Sequence, residues 1–307
     1  MERMDAFFHS LESYPHLGEV LSVGSAFIWA VSVLLFRVSG RAVHPLSLNF
    51  FKCTLSTFLL ILTMIVLGLP LLPRLPFRDY QLIVLSGFVG IALSDTFFFY
   101  CLNLLGASLT AIVDCLYSPF IIIFSVLFIG ERMSQHQVGG VILILAAVVL
   151  ISVKKGEAMP PRRKLILGVG LGVLAMLTQA VGVVLMKPLL GHSPLLWATL
   201  FRIGTAAIVL GGFLALHPQG RRLCRPLAAP SNWRTMIPAS FLGAYVGLIA
   251  WMAGMKYTFA SVAAPLNQIH TIFIFVLAAI FLREKITPAK MMSLLLAALG
   301  AILVSWP

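Results

Sequence analysis

The chain has 307 residues, of which 60% are hydrophobic and only 10% are charged, and its formal net charge at pH 7 is +12. A mean hydropathy of +1.02 excludes a soluble globular domain and indicates an integral membrane protein. The basic residues are spread over the short links between apolar segments, so we expect them to contact lipid headgroups rather than nucleic acid.

Residues 1–18 precede the first long apolar stretch. In this segment Met4, Phe7, Phe8 and Leu11 have the spacing of one helix face. The spacing predicts a short interfacial helix that lies on the membrane surface. A disordered tail is the alternative.

Ten apolar stretches follow, and each is long enough for a transmembrane helix, which needs about 20 residues. They are apolar on all sides, whereas the strands of a membrane barrel alternate apolar and polar residues. The predicted fold is therefore all-α, with ten transmembrane helices joined by short links. These predicted helices, numbered 1 to 10, are 19–38, 46–68, 79–104, 107–130, 134–153, 165–187, 194–216, 235–258, 260–282 and 288–306.

The second half of the chain repeats the first. An offset of 153 residues aligns Glu131 with Glu284, and the segment ASLTA at 107–111 with ASVAA at 260–264, without a gap. An offset of 150 residues aligns the second helices of the two halves. Chance similarity between apolar helices is the alternative, but it would not match these polar positions.

This repeat predicts the domain organisation. Five helices per repeat is an odd number, so the second copy crosses the membrane in the opposite direction to the first. We predict two inverted repeats, residues 19–153 and 165–307, joined by a basic linker at 154–164. Secondary transporters of this plan bind substrate between the repeats near the middle of the bilayer, so a central cavity is expected there.

The two halves share several motifs. The fourth helix of each half begins with ASLTA or ASVAA, contains Pro119 or Pro265, and closes with GER or REK. The second helix of each half contains FFK or LFR, which places a basic residue at the same position. In this order, over nearly the whole chain, the motifs resemble those of the EamA-type family of the drug/metabolite transporter superfamily.

The resemblance implies a basket of ten helices. Helices 1 to 4 and 6 to 9 would surround the cavity, and helices 5 and 10 would pack at the periphery. It also implies transport of a small molecule, since substrates of the family include amino acids, other metabolites and drugs. The cell inner membrane is the expected location.

Two features depart from the family pattern. Relatives usually keep both termini in the cytoplasm, but the links after helices 1, 3, 5, 7 and 9 carry most of the Lys and Arg residues, which favours the opposite orientation. The orientation therefore stays open. Many relatives also carry a Trp late in the first helix, kept here as Trp29, whereas its repeat partner is Gln179.

Charged residues inside the predicted helices mark a candidate site. Burying Asp114 in AIVDCLYSPFIII costs about 2.5–3.5 kcal/mol, so it needs a partner or a function. A helical rise of about 1.5 Å per residue places Asp114, Asp95 and Lys52 roughly 9–13 Å from one face of the membrane. We predict one cluster in which the ammonium lies between both carboxylates. It is either a structural ion pair or a proton-binding or substrate-binding site, and a lipid-facing Lys52 is a third alternative.

The second half replaces this charge pattern. Asn267 stands where Asp114 stands in the first half, and Leu248 replaces Asp95. Arg202 takes the position of Lys52 without an acidic partner, which predicts a receptor for a carboxylate or phosphate. Bonding to backbone carbonyls or to lipid phosphate is the alternative.

Several further polar residues are candidates for the cavity. His270 is either a proton relay or a satisfied packing histidine. Tyr100 and Tyr117 could line the cavity or anchor helix ends at the interface. The remaining candidates are Gln268, Gln179 and Trp29.

Residues at helix ends and on peripheral helices are expected to be structural. Glu131 and Glu284 should pair locally with Arg132 and Lys285 in the headgroup region. Gly139–Gly140 and the alanine-rich faces of helices 5 and 10 allow close helix packing, and the same faces would allow a homodimer.

The sequence predicts a secondary transporter that exports or exchanges a small polar, amino-acid-like metabolite by alternating access, with proton coupling as one option. No cofactor, metal ligand set or catalytic residue is predicted. A channel is one alternative. An intramembrane aspartyl enzyme using Asp95 and Asp114 is another, but neither residue lies in a GxGD-like motif and Lys52 would keep both ionised.

Overall fold

The computed structural model describes residues 16–73, 75–129, 134–153, 160–257 and 266–305, and every regular element in these ranges is helical. The predictions for the interfacial helix within 1–15, for Glu131 and for Pro265 lie outside the described residues.

The first half contains six helices in the described ranges. They are α1 (Leu17–Ser39), α2 (Pro45–Val66), α3 (Phe77–Leu105), α4 (Ala107–Asp114), α5 (Tyr117–Ile129) and α6 (Gln135–Val153). The second half contains α7 (Arg162–Leu190), α8 (Leu195–Leu216), α9 (Pro230–Tyr257), α10 (His270–Phe281) and α11 (Pro288–Ser305). A short helix, Gly220–Cys224, and a 3₁₀ turn, Arg225–Ala228, connect α8 to α9.

Six of these helices, α1, α2, α3, α7, α8 and α9, are long and apolar enough to cross a membrane by length and composition. The other apolar helices among the described residues are shorter. They are Ala107–Ile121, Gln135–Leu150, Leu266–Phe281 and Pro288–Leu303.

Predicted helix 4 is interrupted at residues 115 and 116. Its first part ends at Asp114 and its second part begins at Tyr117. Pro119 has no N–H to donate to the carbonyl of Cys115, and its ring would clash with that carbonyl in a regular helix. Cys115 and Leu116 instead donate to carbonyls three residues back, at 3.3 and 3.0 Å. The interruption therefore places Asp114 at a helix end inside the protein.

Both α3 and α9 contain a π-helical stretch in mid-helix. The stretches begin at Phe88 and Phe241, which are 153 residues apart, the same offset as the sequence repeat. In α3 the side-chain amide of Asn49 donates to the carbonyls of Ile91 and Ala92, at 3.2 and 3.3 Å. Such stretches often occur at functional sites.

Glycines allow close contact between the two halves. A Cβ atom on Gly182 of α7 would lie 2.5 Å from the Cα of Gly90 in α3. The Ser86 hydroxyl donates to the Gly182 carbonyl at 2.6 Å, and the Ser32 hydroxyl of α1 donates to the Ala239 carbonyl of α9 at 2.7 Å. Helices α3 and α7 therefore approach each other at backbone distance. A serine hydroxyl that donates to a backbone carbonyl joins α3 to α7 and, in the same way, α1 to α9.

Helices α6 and α11 pack against each other. A Cβ atom on Gly300 of α11 would lie 2.7 Å from the carbonyl oxygen of Gly140 in α6. Small residues therefore let these two backbones approach, as their sequences predicted.

The predicted local pairing of Glu284 with Lys285 was wrong. The Glu284 carboxylate accepts hydrogen bonds from the backbone N–H groups of Ala107 and Ser108, at 2.8 and 3.0 Å, and from the Ser108 hydroxyl at 2.5 Å. These N–H groups have no partner within α4, because they belong to its first turn. A carboxylate from the second half therefore caps a helix of the first.

Candidate functional site

A cavity lies between the two halves. Counted together with its open side, it encloses about 890 Å³ of empty space, which suits a small molecule. Its walls come from α1 to α5, from α7 to α10 and from Asn267 just before α10, and no residue of α6 or α11 is among the described lining residues. These are the helices that the family resemblance places around the centre.

Most of the predicted site residues line this cavity. The nine that do are Trp29, Lys52, Asp95, Asp114, Tyr117, Gln179, Arg202, Asn267 and His270. Two do not. Tyr100 is hydrogen-bonded to His44 at the end of α3, with 3.1 Å between the hydroxyl oxygen and Nε2. Gln268 is buried behind Asp114, where its amide donates to the Asp114 carbonyl at 3.4 Å.

His44 precedes α2 at the edge of the helical bundle. Burial, together with the nearby His217, lowers the pKa of His44 below its usual value. The ring is therefore neutral at pH 7, and its contact with Tyr100 is a structural hydrogen bond away from the cavity.

Lys52 and Asp95 form an ion pair in the cavity wall. The ammonium is 2% exposed and also lies 5.3 Å from the ring centroid of Phe99. Asp95 lies two residues after the π-helical stretch of α3, which ends at Leu93. The ion pair therefore ties α2 to α3 within the first half, and Lys52 does not face lipid.

Asp114 has a different partner, and the predicted cluster of three charges was wrong in this respect. Its carboxylate oxygen Oδ2 is hydrogen-bonded to Nε2 of His270, and both side chains are buried. His270 begins α10 while Asp114 ends α4, so two helix ends meet at this contact. His270 of the second half is thus the partner of Asp114 in the first half. The depth of a residue along its helix does not show which side chain it faces, so the sequence could not indicate this pairing.

Arg202 is a buried cation without an ion pair among the described residues. Its side chain is fully enclosed, and its guanidinium carbon lies 5.7 Å from the ring of Trp251. Nη1 donates to the sulfur of Met186 at 3.4 Å, but Nε and Nη2 have no hydrogen-bond partner within the described ranges. Nε–H and an N–H of Nη2 point along one edge of the guanidinium plane, the edge that binds a carboxylate with two parallel hydrogen bonds.

The Arg202 guanidinium is packed closely against Gly90 of α3. A Cβ atom on Gly90 would lie 3.0 Å from Nη2, so only glycine leaves room there. The alternative role predicted for this residue, bonding to backbone carbonyls, does not occur among the described residues. Arg202 thus lines the cavity, while its two unpaired nitrogens are themselves buried.

Sequence analysis overlooked several lining residues, among them Phe98 and Trp251. The repeat offset itself could have found them, because Phe98 and Trp251 are equivalent positions and both line the cavity. Sixteen of the twenty lining residues form eight such pairs. The pairs are Trp29 with Gln179, Lys52 with Arg202, Ile91 with Ala244, Ser94 with Gly247, Asp95 with Leu248, Phe98 with Trp251, Asp114 with Asn267, and Tyr117 with His270.

Apolar helices of membrane-spanning length around a cavity that contains buried charges define a polytopic membrane protein with an internal cavity. A model of the EamA-like transporter family matches residues 16–153 and, a second time, residues 166–306. The chain therefore belongs to the EamA-like transporter family and is a membrane protein of the drug/metabolite transporter superfamily. That family implies a small-molecule substrate and a surrounding lipid bilayer.

No curated protein matches the chain. A solved structure described only as "Crystal structure of protein" superposes with a TM-score of 0.70 at 18% sequence identity, over 94% of this chain and 96% of that chain. At this identity the likeness is one of fold.

Proposed function

We propose that the protein is a secondary transporter that carries a small metabolite with an anionic group, of amino-acid type, by alternating access. The observation that supports this most directly is the unpaired edge of the Arg202 guanidinium in the cavity wall. A buried cation without a counterion is expensive, so a ligand carboxylate that supplies the two missing acceptors would be bound favourably.

The architecture that we propose is ten transmembrane helices in two inverted repeats, 19–153 and 165–307, related by a two-fold axis. Matched contacts support it. The repeat offsets map Ser32 of α1 onto Gly182 of α7, and Ser86 of α3 onto Ala239 of α9. The hydrogen bond between Ser32 and the Ala239 carbonyl therefore corresponds to that between Ser86 and the Gly182 carbonyl. Two repeats related in this way can exchange conformations, which is the basis of alternating access.

The driving force would be an ion gradient or substrate exchange. The sequence contains no nucleotide-binding motif. Asp114 and His270, which contact each other in the cavity, are the residues best placed to bind a proton. We place the protein in the cell inner membrane, with export or exchange of a metabolite as its role.

The pairing of the acidic residues argues against an intramembrane aspartyl enzyme. Such an enzyme needs two carboxylates that share a proton. Here Asp95 binds Lys52, while Asp114 binds His270. Each carboxylate is thus engaged by a different base.

Uptake by proteoliposomes tests the proposal. Purified protein would be reconstituted and offered radiolabelled amino acids, hydroxy acids and dicarboxylates, with uncharged sugars and simple amines as matched controls. Carboxylates should accumulate and exchange, and the controls should not. Failure of every carboxylate to enter, or uptake of the amines alone, would exclude the proposed function.

A further inference from the structure

We infer that Asp114 and His270 together bind one proton, that this proton holds the two repeats together at the cavity, and that it is carried along with a monoanionic substrate. The last part rests on the proposed transport function. The first two parts concern the structure of the pair itself and can be tested without a substrate.

The hydrogen bonds of His270 determine how many protons the pair holds. Its Nδ1 is 2.5 Å from the backbone carbonyl oxygen of Asn267. A carbonyl oxygen only accepts, so Nδ1 must carry a hydrogen. In a neutral imidazole the other nitrogen, Nε2, is then an acceptor without a hydrogen.

Nε2 faces Oδ2 of Asp114 at hydrogen-bond distance. A carboxylate is also only an acceptor, so a neutral imidazole and an ionised Asp114 would point two lone pairs at each other. The contact requires one further proton, either on Nε2 or on the carboxyl group. With that proton the pair has no net charge, and without it the pair carries one negative charge and the contact is repulsive.

Loss of the proton would act between two helix ends. Asp114 is the last residue of α4, beside the interruption at 115–116, and His270 is the first residue of α10. The Asp114 carbonyl is also held by Gln268, which precedes α10. The proton therefore joins a helix end of the first half to a helix start of the second, where separation needs no helix to unfold.

The charged and titratable groups around the pair determine the net charge that a ligand meets in the cavity. They are Lys52 from α2, Asp95 and Cys101 from α3, Cys115 next to Asp114, Tyr117 from α5 and Arg202 from α8. Helices α1 and α7 contribute the uncharged Ser25, Trp29 and Gln179 to the cavity wall, and Lys290 of α11 donates to the Lys285 carbonyl, away from the cavity.

Among these groups Lys52 and Asp95 cancel each other. With the proton bound, Arg202 leaves the cavity with one positive charge, which a monoanion neutralises. Without the proton, Asp114 balances Arg202 and the cavity is neutral without a ligand. Proton and monoanion are therefore expected to bind together, since a net buried charge is unfavourable. The expected stoichiometry is one proton per monoanion.

Nuclear magnetic resonance of the whole protein in lipid nanodiscs tests the proton directly. The histidines would carry ¹⁵N and the aspartates ¹³C, and His270→Gln would assign the His270 signals. We expect a proton shared between Nε2 and the Asp114 carboxyl group, lost in one step as the pH rises, together with loss of the dipolar coupling between Nε2 and the carboxyl carbon. An unprotonated Nε2 beside an ionised Asp114 at every pH at which the protein is folded would overturn the inference.

Asp114→Asn is the matched variant, because the asparagine amide supplies its own hydrogen to Nε2. In this variant, with its asparagines also ¹³C-labelled, the coupling between Nε2 and the side-chain carbon should persist without a pH step. A pH step unchanged from wild type would assign the proton to another group and overturn the inference. If Asp114→Asn fails to fold, the comparison of wild type with His270→Gln still tests the inference, because it shows whether the signal of the shared proton belongs to His270.

Transport measurements test the coupling. For a monoanionic carboxylate that the uptake panel identifies, wild-type proteoliposomes with a pH-sensitive dye inside should take up one proton per anion. In Asp114→Asn, a proton gradient should no longer accelerate transport of this anion. Wild-type rate and pH dependence in Asp114→Asn would exclude the proposed proton coupling but would leave the transport activity established. Failure of the whole panel would instead remove the proposed function and leave the resonance result standing.

Discussion

Arg202 shows how a single residue can indicate a ligand. A guanidinium inside a membrane protein is normally paired or exposed to water, because burying an unpaired charge is costly. Within the described part of the chain, two of its donor nitrogens have no partner although the side chain is enclosed. The cation–π contact with Trp251 compensates only in part, since such a contact contributes about 2 kcal/mol when desolvated. The anion of the proposed function would supply the missing acceptors.

Replacement of Arg202 should weaken substrate binding. Arg202→Lys keeps the charge but loses the planar edge, so the apparent affinity for the transported carboxylate should fall by about tenfold, and Arg202→Ala should lose more, since hydrogen bonds to charged groups contribute about 1.5–3 kcal/mol. Concentration dependence of uptake in proteoliposomes measures both. Arg222→Gln, at an exposed position, is the matched control and should behave like wild type. Unchanged apparent affinity in Arg202→Ala would contradict this role.

Lys52 should matter more for the stability of the protein than for substrate recognition, because it is the ion-pair partner of Asp95. Lys52→Met leaves Asp95 without its base, and removing one member of a buried ion pair destabilises a protein by about 3–5 kcal/mol. Thermal unfolding in detergent should show this as a marked drop in the midpoint. The double variant Lys52→Met with Asp95→Asn removes the stranded charge and should recover most of the loss. Equal midpoints for the single and double variants would show that the ion pair is not what Lys52 contributes.

Residue identities were easier to predict than their pairing. The sequence indicated Lys52, Asp95, Asp114 and His270 because charged and polar residues are rare in apolar helices. Depth along each helix placed the three charges in one layer, but it carries no information on rotation about the helix axis. The structure gives each carboxylate its own base.

At the scale of helices, the sequence predicted where the helices lie better than where they are interrupted. The long apolar stretches located α1, α2, α3, α7, α8 and α9 to within a few residues. The interruption before Tyr117 has a marker in the sequence, because Pro119 has no N–H for a helical hydrogen bond. The π-helical stretches have no such marker, since they depend on neighbours such as Asn49 that come from another helix. The Glu284 cap likewise needs α4 from the other half.

The contact between α3 and α7 should depend on its glycines. Gly182→Ala places a methyl group 2.5 Å from the Cα of Gly90, a backbone atom that cannot rotate away. Overpacking of this kind destabilises by about 1–3 kcal/mol, so the unfolding midpoint should fall and the cavity should lose ligand-binding capacity. Gly170→Ala lies on the same helix with nothing within 4 Å of the new methyl group and serves as the control. A midpoint for Gly182→Ala as high as that of Gly170→Ala would mean that α3 and α7 are not in close contact.

At the scale of the whole molecule, the repeat is the most informative feature of the sequence. It predicted that the two halves are equivalent, and the family match covers both halves. Applied residue by residue, it also reproduces most of the cavity wall, because two equivalent halves must present equivalent faces to a shared centre. The proposed function rests on the differences between equivalent positions. Lys52 pairs with Asp95 in one half, whereas in the other half Leu248 stands at the position equivalent to Asp95 and Arg202 has no ion pair among the described residues.

The same geometry predicts which positions meet water. In a background without the four native cysteines, single cysteines at Gln179, Leu248 and Trp251 should react with a membrane-impermeant thiol reagent, because these half-buried residues line the cavity. Cysteines at Ile142 and Leu295 are the matched controls. They are exposed on α6 and α11 but should be covered by lipid, and so should stay unreactive.

A charged reagent makes the test sharper. An anionic thiosulfonate should modify the cavity cysteines faster than a cationic one of similar size, because Arg202 lies in the same wall without a counterion. Rates measured from each side of right-side-out and inverted vesicles would then show to which side the cavity opens. Equal protection at all three cavity positions from both sides would exclude a water-filled cavity, whereas a preference for the cationic reagent would leave the cavity in place and remove Arg202 as its anion receptor.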